Sequence, residues 1–208
     1  MKTANPSKSD KIKEEFLELI RSTGRENIEE AIEYIDSIGF FSAPASASHH
    51  LAVEGGLAEH SVNTCRAALK VWEVMKELDP NSVFEVKRES IIIAALLHDV
   101  CKSDSYEKTL RRRKNELGQD EMMPGYKAVT PRLAIGHGER SLVMLLYNTG
   151  LDLSDEEMMA IRWHMGPWCL NFNSGEEGRM YDAAFDNPLV TIIHAGDLLA
   201  SRILENRE

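Results

Sequence analysis

Seven consecutive apolar residues, Ile91-Ile-Ile-Ala-Ala-Leu-Leu97, lead directly into His98-Asp99. The run is far too short to span a bilayer. A helix that is apolar on every side belongs at the centre of a fold, so the stretch from about Lys87 to Cys101 is expected to be a central helix. A buried β-strand is the competing assignment, because short apolar runs carry no periodicity of their own. An ionised aspartate next to such a run is costly to bury unless it is paired or bound to a metal. The simpler alternative is a helix that reaches the surface and ends there in a polar pair.

The rest of the chain reads as further helices. Asp10 to Ser22 places Ile12, Phe16, Leu19 and Ile20 at helical spacing, and Asn27 to Ile38 does the same with Ile28, Ala31, Ile32 and Ile35. Phe41-Ser-Ala-Pro-Ala-Ser-Ala-Ser reads as a connection. A boundary is therefore set between an N-terminal helical extension, 1–44, and a main domain, 45–208. Gly55-Gly56 opens a long helix to Leu78, ended by Asp79-Pro80-Asn81. Helices are also expected over Glu139–Asn148, Ser154–His164 and Leu189–Leu204. Ser154 with Glu157 forms a capping-box pattern at the start of the second of these. Lys108 to Arg132 is broken by Gly118, Pro124, Gly125 and Pro131 and reads as irregular. No segment carries a period-2 pattern, so the expected class is all-α.

Composition narrows the function. A net charge of −10 argues against broad, sequence-independent nucleic-acid binding, although Arg111-Arg-Arg-Lys114 is a local basic run. The three cysteines, Cys65, Cys101 and Cys169, have no C-x-x-C spacing and suggest neither a disulfide framework nor a thiolate zinc site. Met1 to Glu15 has no apolar signal region, so the expected compartment is the cytoplasm.

Ionisable residues interrupt apolar helices at two more places. His60 stands early in the helix after Gly55-Gly56, and Asp197 lies within Ile192-Ile-His-Ala-Gly-Asp-Leu-Leu. One such interruption is commonly a satisfied core histidine. Three, supplying His60, His98, Asp99 and Asp197, make a mixed nitrogen and oxygen ligand set for a divalent cation. These donors do not decide among Mn, Fe, Co, Ni, Zn and Mg.

The order His60, His98-Asp99, Asp197 resembles the H…HD…D signature of the HD-domain superfamily of metal-dependent phosphohydrolases. Gly-Gly-Leu-Ala-Glu-His at 55–60 and Leu-Leu-His-Asp-Val-Cys-Lys at 96–102 match as well. The latter has Val100-Cys101 where the family often has Ile-Gly. The resemblance covers about residues 45 to 205. It implies a helical bundle and a metal-dependent phosphohydrolase that cleaves a phosphomonoester or phosphodiester, commonly of a nucleotide, through metal-activated water. His60, His98 and Asp197 would be ligands, and Asp99 a ligand that bridges to a second metal. His137 and His164 resemble the additional histidines of a binuclear subgroup that includes bacterial 3′–5′ exoribonucleases. There the chain has His164-Met165-Gly166 in place of His-His-Gly, so one metal site is expected and a second is left open. Otherwise His137 and His164 would line the pocket, holding phosphate or acting as general acid.

Further candidates are weaker. Lys102, one turn past His98-Asp99, would hold a substrate phosphate or be a solvated helix-end lysine. Arg113, Tyr126 and Lys127, with Tyr106 and Arg111 to Lys114, would form a phosphate-binding flap or an exposed charged loop. Glu139 and Arg140 are placed to orient His137. His194 and Cys101 read as packing, Trp163 and Trp168 as core or pocket wall, and His49-His50 as pocket or surface. The expected partner is a small phosphoester, with nucleic acid possible but not favoured and no membrane. A nuclease, a cyclic-dinucleotide phosphodiesterase and a non-catalytic metal- or nucleotide-binding regulatory module are the alternatives.

Overall fold

The computed structural model describes residues 6–114, 118–171 and 173–205. Among these described residues eight α-helices follow in order: α1 (Lys8–Arg21), α2 (Ile28–Ser37), α3 (Gly56–Leu78), α4 (Arg88–Leu97), α5 (His137–Asn148), α6 (Asp155–Trp163), α7 (Gly175–Phe185) and α8 (Pro188–Leu199). Strands β1 (Tyr106–Lys114) and β2 (Asp120–Ala128) form one antiparallel hairpin between α4 and α5.

Helix α4 is the centre. Each residue from Ile91 to Leu97 has no exposed surface, and α1, α3, α6 and α8 pack around it. The strand alternative is therefore excluded. The helix is shorter than expected: it ends at Leu97, with His98 as its C-cap, and a 3₁₀ turn spans Val100–Asp104. Helices α1 and α2 contribute Phe16, Ile20, Ala31 and Ile35 to the same core as α3 and α4. At the start of α6 the Ser154 side chain accepts from the Glu157 amide while the Glu157 carboxylate accepts from the Ser154 amide.

Two elements differ from the sequence reading. The region read as irregular, 108–132, contains most of the hairpin. β1 is rich in charged residues, β2 exposes Met122 and Met123 beside its charged ones, and on β2 only Gly125 and Tyr126 are buried. Without an apolar stripe there is no period-2 signal to detect. Pro124, opposite Leu110, is tolerated because each strand of a two-stranded sheet has a free edge. Helix α7 was not anticipated either. It contains Gly178 and buries only Ala184, so it carries almost no amphipathic pattern.

The hairpin is tied down beside the connection that precedes α3. Arg111 donates to the Ala47 carbonyl at 2.8 Å, and Lys108 pairs with Glu54 at 2.9 Å. That connection docks on the first turn of α3 through Gly56. A Cβ there would lie 2.1 Å from the Leu51 carbonyl oxygen, so only glycine permits the approach. Among the described residues, no helix is long and apolar enough to cross a membrane.

Candidate metal centre

His98 and Asp99 end α4 inside the protein. Their exposures are 0% and 1%, which rules out a helix that ends at the surface in a polar pair. A buried carboxylate needs partners, and Asp99 has five. Its Oδ2 faces Lys102 Nζ at 2.5 Å, His98 Nε2 at 3.2 Å and His60 Nε2 at 3.6 Å. Its Oδ1 faces His164 Nε2 at 3.5 Å and meets His137 Nε2 in a short hydrogen bond. Burial alone would raise the Asp99 pKa. The charges of Lys102, His98 and His137 outweigh it and hold the carboxyl well below the usual carboxylate range.

Asp197, on α8, closes the cluster with Oδ1 at 3.2 Å from His60 Nε2. Burial opposes its ionisation too, but the hydrogen bond and charge of His60 leave its pKa depressed. His60 responds in the opposite sense. Burial disfavours its cation, yet Asp197 and Glu205 raise its pKa to about 9. Burial dominates for His98 and His137, whose pKa values are lowered.

The imidazoles share an orientation. His98 Nδ1 donates to the Ala95 carbonyl at 2.8 Å, and His164 Nδ1 donates to the Ile161 carbonyl at 2.7 Å. Each is a C-cap residue that uses a carbonyl three positions back, one of the last-turn acceptors that a helix leaves unused. His60 Nδ1 lies 3.0 and 3.2 Å from the two oxygens of Glu205. With Nδ1 turned outward in all three, their Nε2 atoms converge on Asp99 and Asp197.

This arrangement suits a cation. His60 Nε2 and His98 Nε2 stand 3.3 Å apart. His164 Nε2 is buried and has no hydrogen-bond partner among the described residues. Such nitrogens are stable together when a proton or a metal lies between them and the carboxylates. His60, His98 and Asp99, and likewise Asp99, His137 and His164, place candidate ligand atoms within 4.8 Å of one another. The residues present therefore fit a divalent metal, with Asp99 common to both groups.

Several expected residues stand elsewhere or act differently. Lys127 pairs with Glu107 at 2.5 Å on the hairpin surface, and Tyr126 is buried opposite Lys108. The Arg113 side chain lies outside the described residues. Arg140 binds the Cys101 carbonyl and Ser105 Oγ, and Glu139 pairs with Arg162. Arg140 thus ties the turn after Asp99 to α5, Glu139 ties α5 to α6, and His137 Nδ1 faces Cys101 Sγ instead, at 3.7 Å. His194 supports His164 by donating to its carbonyl at 2.7 Å. His49 is exposed, whereas His50 stacks near His60 with ring centroids 5.0 Å apart. Burial and the His60 charge lower the His50 pKa to about 4. Glu205 is the participant that sequence reasoning missed.

A family model described as HD domain matches residues 57–179, more than half of the chain. The chain belongs to the HD domain family. The matched segment contains His60, His98, Asp99, His137 and His164, and Asp197 lies beyond it. A curated relative, the dihydroneopterin 2′,3′-cyclic phosphate phosphodiesterase of Methanocaldococcus jannaschii, is 44% identical over 64 residues. The match covers 31% of this chain and spans only 24% of that relative's length. No solved structure matches.

Proposed function

We propose that the protein is a metal-dependent phosphohydrolase that cleaves a phosphodiester of a nucleotide-like small molecule. The observation that carries this reading is the division of the Asp99 carboxylate. One oxygen faces His60, His98 and Lys102, and the other faces His137 and His164. A first metal would be held by His60, His98, Asp99 and Asp197, and a second by Asp99, His137 and His164. Imidazole with carboxylate favours Mn, Fe, Co, Ni or Zn over Mg. When bound, the metal lowers the pKa of its water from about 15.7 to roughly 7 and neutralises phosphoryl charge.

The chain's own residues would do the rest. Lys102 and His137 are on the open side, with 12% and 32% of their side chains exposed. Lys102 can turn from Asp99 to a phosphoryl oxygen over a short path. With a single metal bound, His137 would instead line the pocket and give a proton to the leaving oxygen. Asp99 would hold either of them in place between turnovers. The name of the relative supports a phosphodiester, and residues 1–44 would serve as the cap of the domain that begins near 45. The basic run does not favour nucleic acid: Arg111 is committed to the Ala47 carbonyl and Arg112 to Asp120.

The test is elemental analysis of the purified protein and its Asp99→Ala variant, followed by a phosphate-release screen with Mn, Co, Ni, Mg and Zn. The screen includes linear and 2′,3′-cyclic nucleotides, with a phosphomonoesterase added to report diester cleavage. One or two equivalents of metal, lost in the variant, with cleavage of a diester, are expected. Bound metal without turnover would move the assignment to a regulatory module. Absence of metal under every loading condition would overturn it.

A further inference from the structure

We infer that Glu205 is a positioning residue for the metal centre, and that the π turn ending α8 exists to deliver it there. The inference rests on the metal reading of the site. It begins with a problem particular to His60. His98 and His164 stand at helix ends, where unused carbonyls accept from Nδ1. His60 stands inside α3, a helix of 23 residues, where the carbonyls of the preceding turn already accept backbone amides. Its Nδ1 must find an acceptor from another element, and Glu205 supplies one at 3.0 Å.

Glu205 is held for that task. Its side chain is 1% exposed. Asn63, three residues after His60 on the same helix, donates to Glu205 Oε1 at 3.1 Å. A carboxylate buried this far is costly unless its partners are fixed. His60 thus stands between two carboxylates, Asp197 at Nε2 and Glu205 at Nδ1, and both come from one stretch of chain.

Helical geometry explains how. Residues of an α-helix advance by about 100° each, so a residue eight places after Asp197 would point about 80° away from it. Residues Ala200–Leu204 form a π turn, and the Glu205 amide donates to the Ala200 carbonyl, five residues back. A π turn accommodates one extra residue. Glu205 therefore takes roughly the angular position of the seventh residue after Asp197, about 20° from its direction. Two turns apart, the two carboxylates face the same imidazole from opposite sides. A regular helix through 200–205 would carry Glu205 off His60.

A carboxylate on Nδ1 fixes the tautomer that leaves Nε2 free for a metal and makes the ring a stronger donor. Loss of such a partner typically costs 10–100-fold in metal affinity. The experiment uses the full chain loaded with cobalt(II), as wild type, Glu205→Ala and Glu205→Gln. It reads affinity by chelator competition, and the hyperfine-shifted exchangeable imidazole N–H resonances by proton NMR. Glu205→Ala is expected to weaken cobalt binding about 10–100-fold and to lose one shifted N–H resonance to rapid solvent exchange. Glu205→Gln keeps the volume and an acceptor oxygen, so it should keep that resonance at an altered shift and bind severalfold more weakly. If the alanine variant does not fold, the glutamine variant carries the test. A Glu205→Gln protein matching wild type in both affinity and spectrum overturns the inference, whatever its melting temperature, since a packing role alone would change only stability. Failure of the wild type to bind cobalt would overturn the metal reading itself, and the inference with it.

Discussion

Replacing Asp99 by asparagine is the perturbation with the widest reach, because this side chain contacts both halves of the site. The change keeps the shape and removes the charge. In the metal-free protein it leaves the Lys102 ammonium, formerly 2.5 Å from Oδ2, facing buried imidazoles. Breaking a buried ion pair by removing one partner costs about 3–5 kcal/mol. Lys102 keeps 12% of its side chain exposed and can relax toward water, which places the cost near the lower end, about 3 kcal/mol. For a chain of this size each kcal/mol moves Tm by roughly 2–4 °C, so a fall of about 6–12 °C is expected by calorimetry of chelator-treated protein. The sign with pH follows from the depressed carboxyl. Its stabilisation is present above the unfolded-state pKa near 3.9 and is lost as pH falls toward the folded value. The difference between wild type and variant should therefore shrink on acidification. The double variant Asp99→Asn, Lys102→Met should recover part of the loss, because contacting residues are not additive and the unpaired ammonium is gone. Reloaded with cobalt, Asp99→Asn should retain none at micromolar protein. A variant that melts within about 2 °C of wild type and takes up cobalt stoichiometrically would refute the reasoning.

Removal of His137 should be selective. His137→Ala is expected to keep the metal held by His60, His98, Asp99 and Asp197 while losing any second equivalent, with turnover reduced by about 10²–10⁴; loss of all metal would show that the two donor groups are wrongly divided. Metal affinity should rise with pH, because a His60 whose pKa is raised to about 9 must release its proton to bind. Chelator competition between pH 7 and 9 should show about a tenfold gain per unit and a plateau above, and a flat profile would contradict the assignment of His60 as a ligand. The same shift makes a separate contribution to metal-free stability, fully present below the unfolded-state pKa near 6.5 and lost as pH rises through about 9. Gly56→Ala places a Cβ 2.1 Å from the Leu51 carbonyl oxygen; it should cost about 1–3 kcal/mol in denaturant unfolding, and no loss would mean that the connection before α3 is not tightly docked.

What the sequence disclosed follows the apolar pattern. Ile91–Leu97 announced the central helix, and the ionisable residues that break or end apolar helices at His60, His98-Asp99 and Asp197 meet in the structure. An ionisable group is conspicuous in sequence when its neighbours are apolar. The hairpin lacked that contrast, since Arg111, Arg112 and Lys114 sit among other polar residues and are held by backbone pairing. Glu205 was invisible for a different reason. It lies among polar residues near the end of the chain, at a spacing from Asp197 that a regular helix would turn away. Only the π turn makes it a neighbour of His60, and no local residue type signals such a turn. Lys102 was ambiguous because its position three residues after Asp99 suits a solvated helix end as well as an ion pair.

The way the helices meet at the site adds an argument independent of the donor atoms. Helices α4 and α6 both arrive by their C-terminal ends, with His98 and His164 as C-caps. A helix C-terminus carries the equivalent of roughly half a negative charge, and its influence is confined to about the last turn. Two such ends beside Asp99 and Asp197 make the interior of the cluster a place for positive charge, which Lys102 and the His60 proton supply when no metal is bound. Helix α5 arrives by its N-terminus, with His137 as its first residue on the side open to solvent. The polarity thus reverses from the buried floor to the mouth. A cation is favoured below and an anion above, which is the order that a phosphoester approaching a bound metal requires.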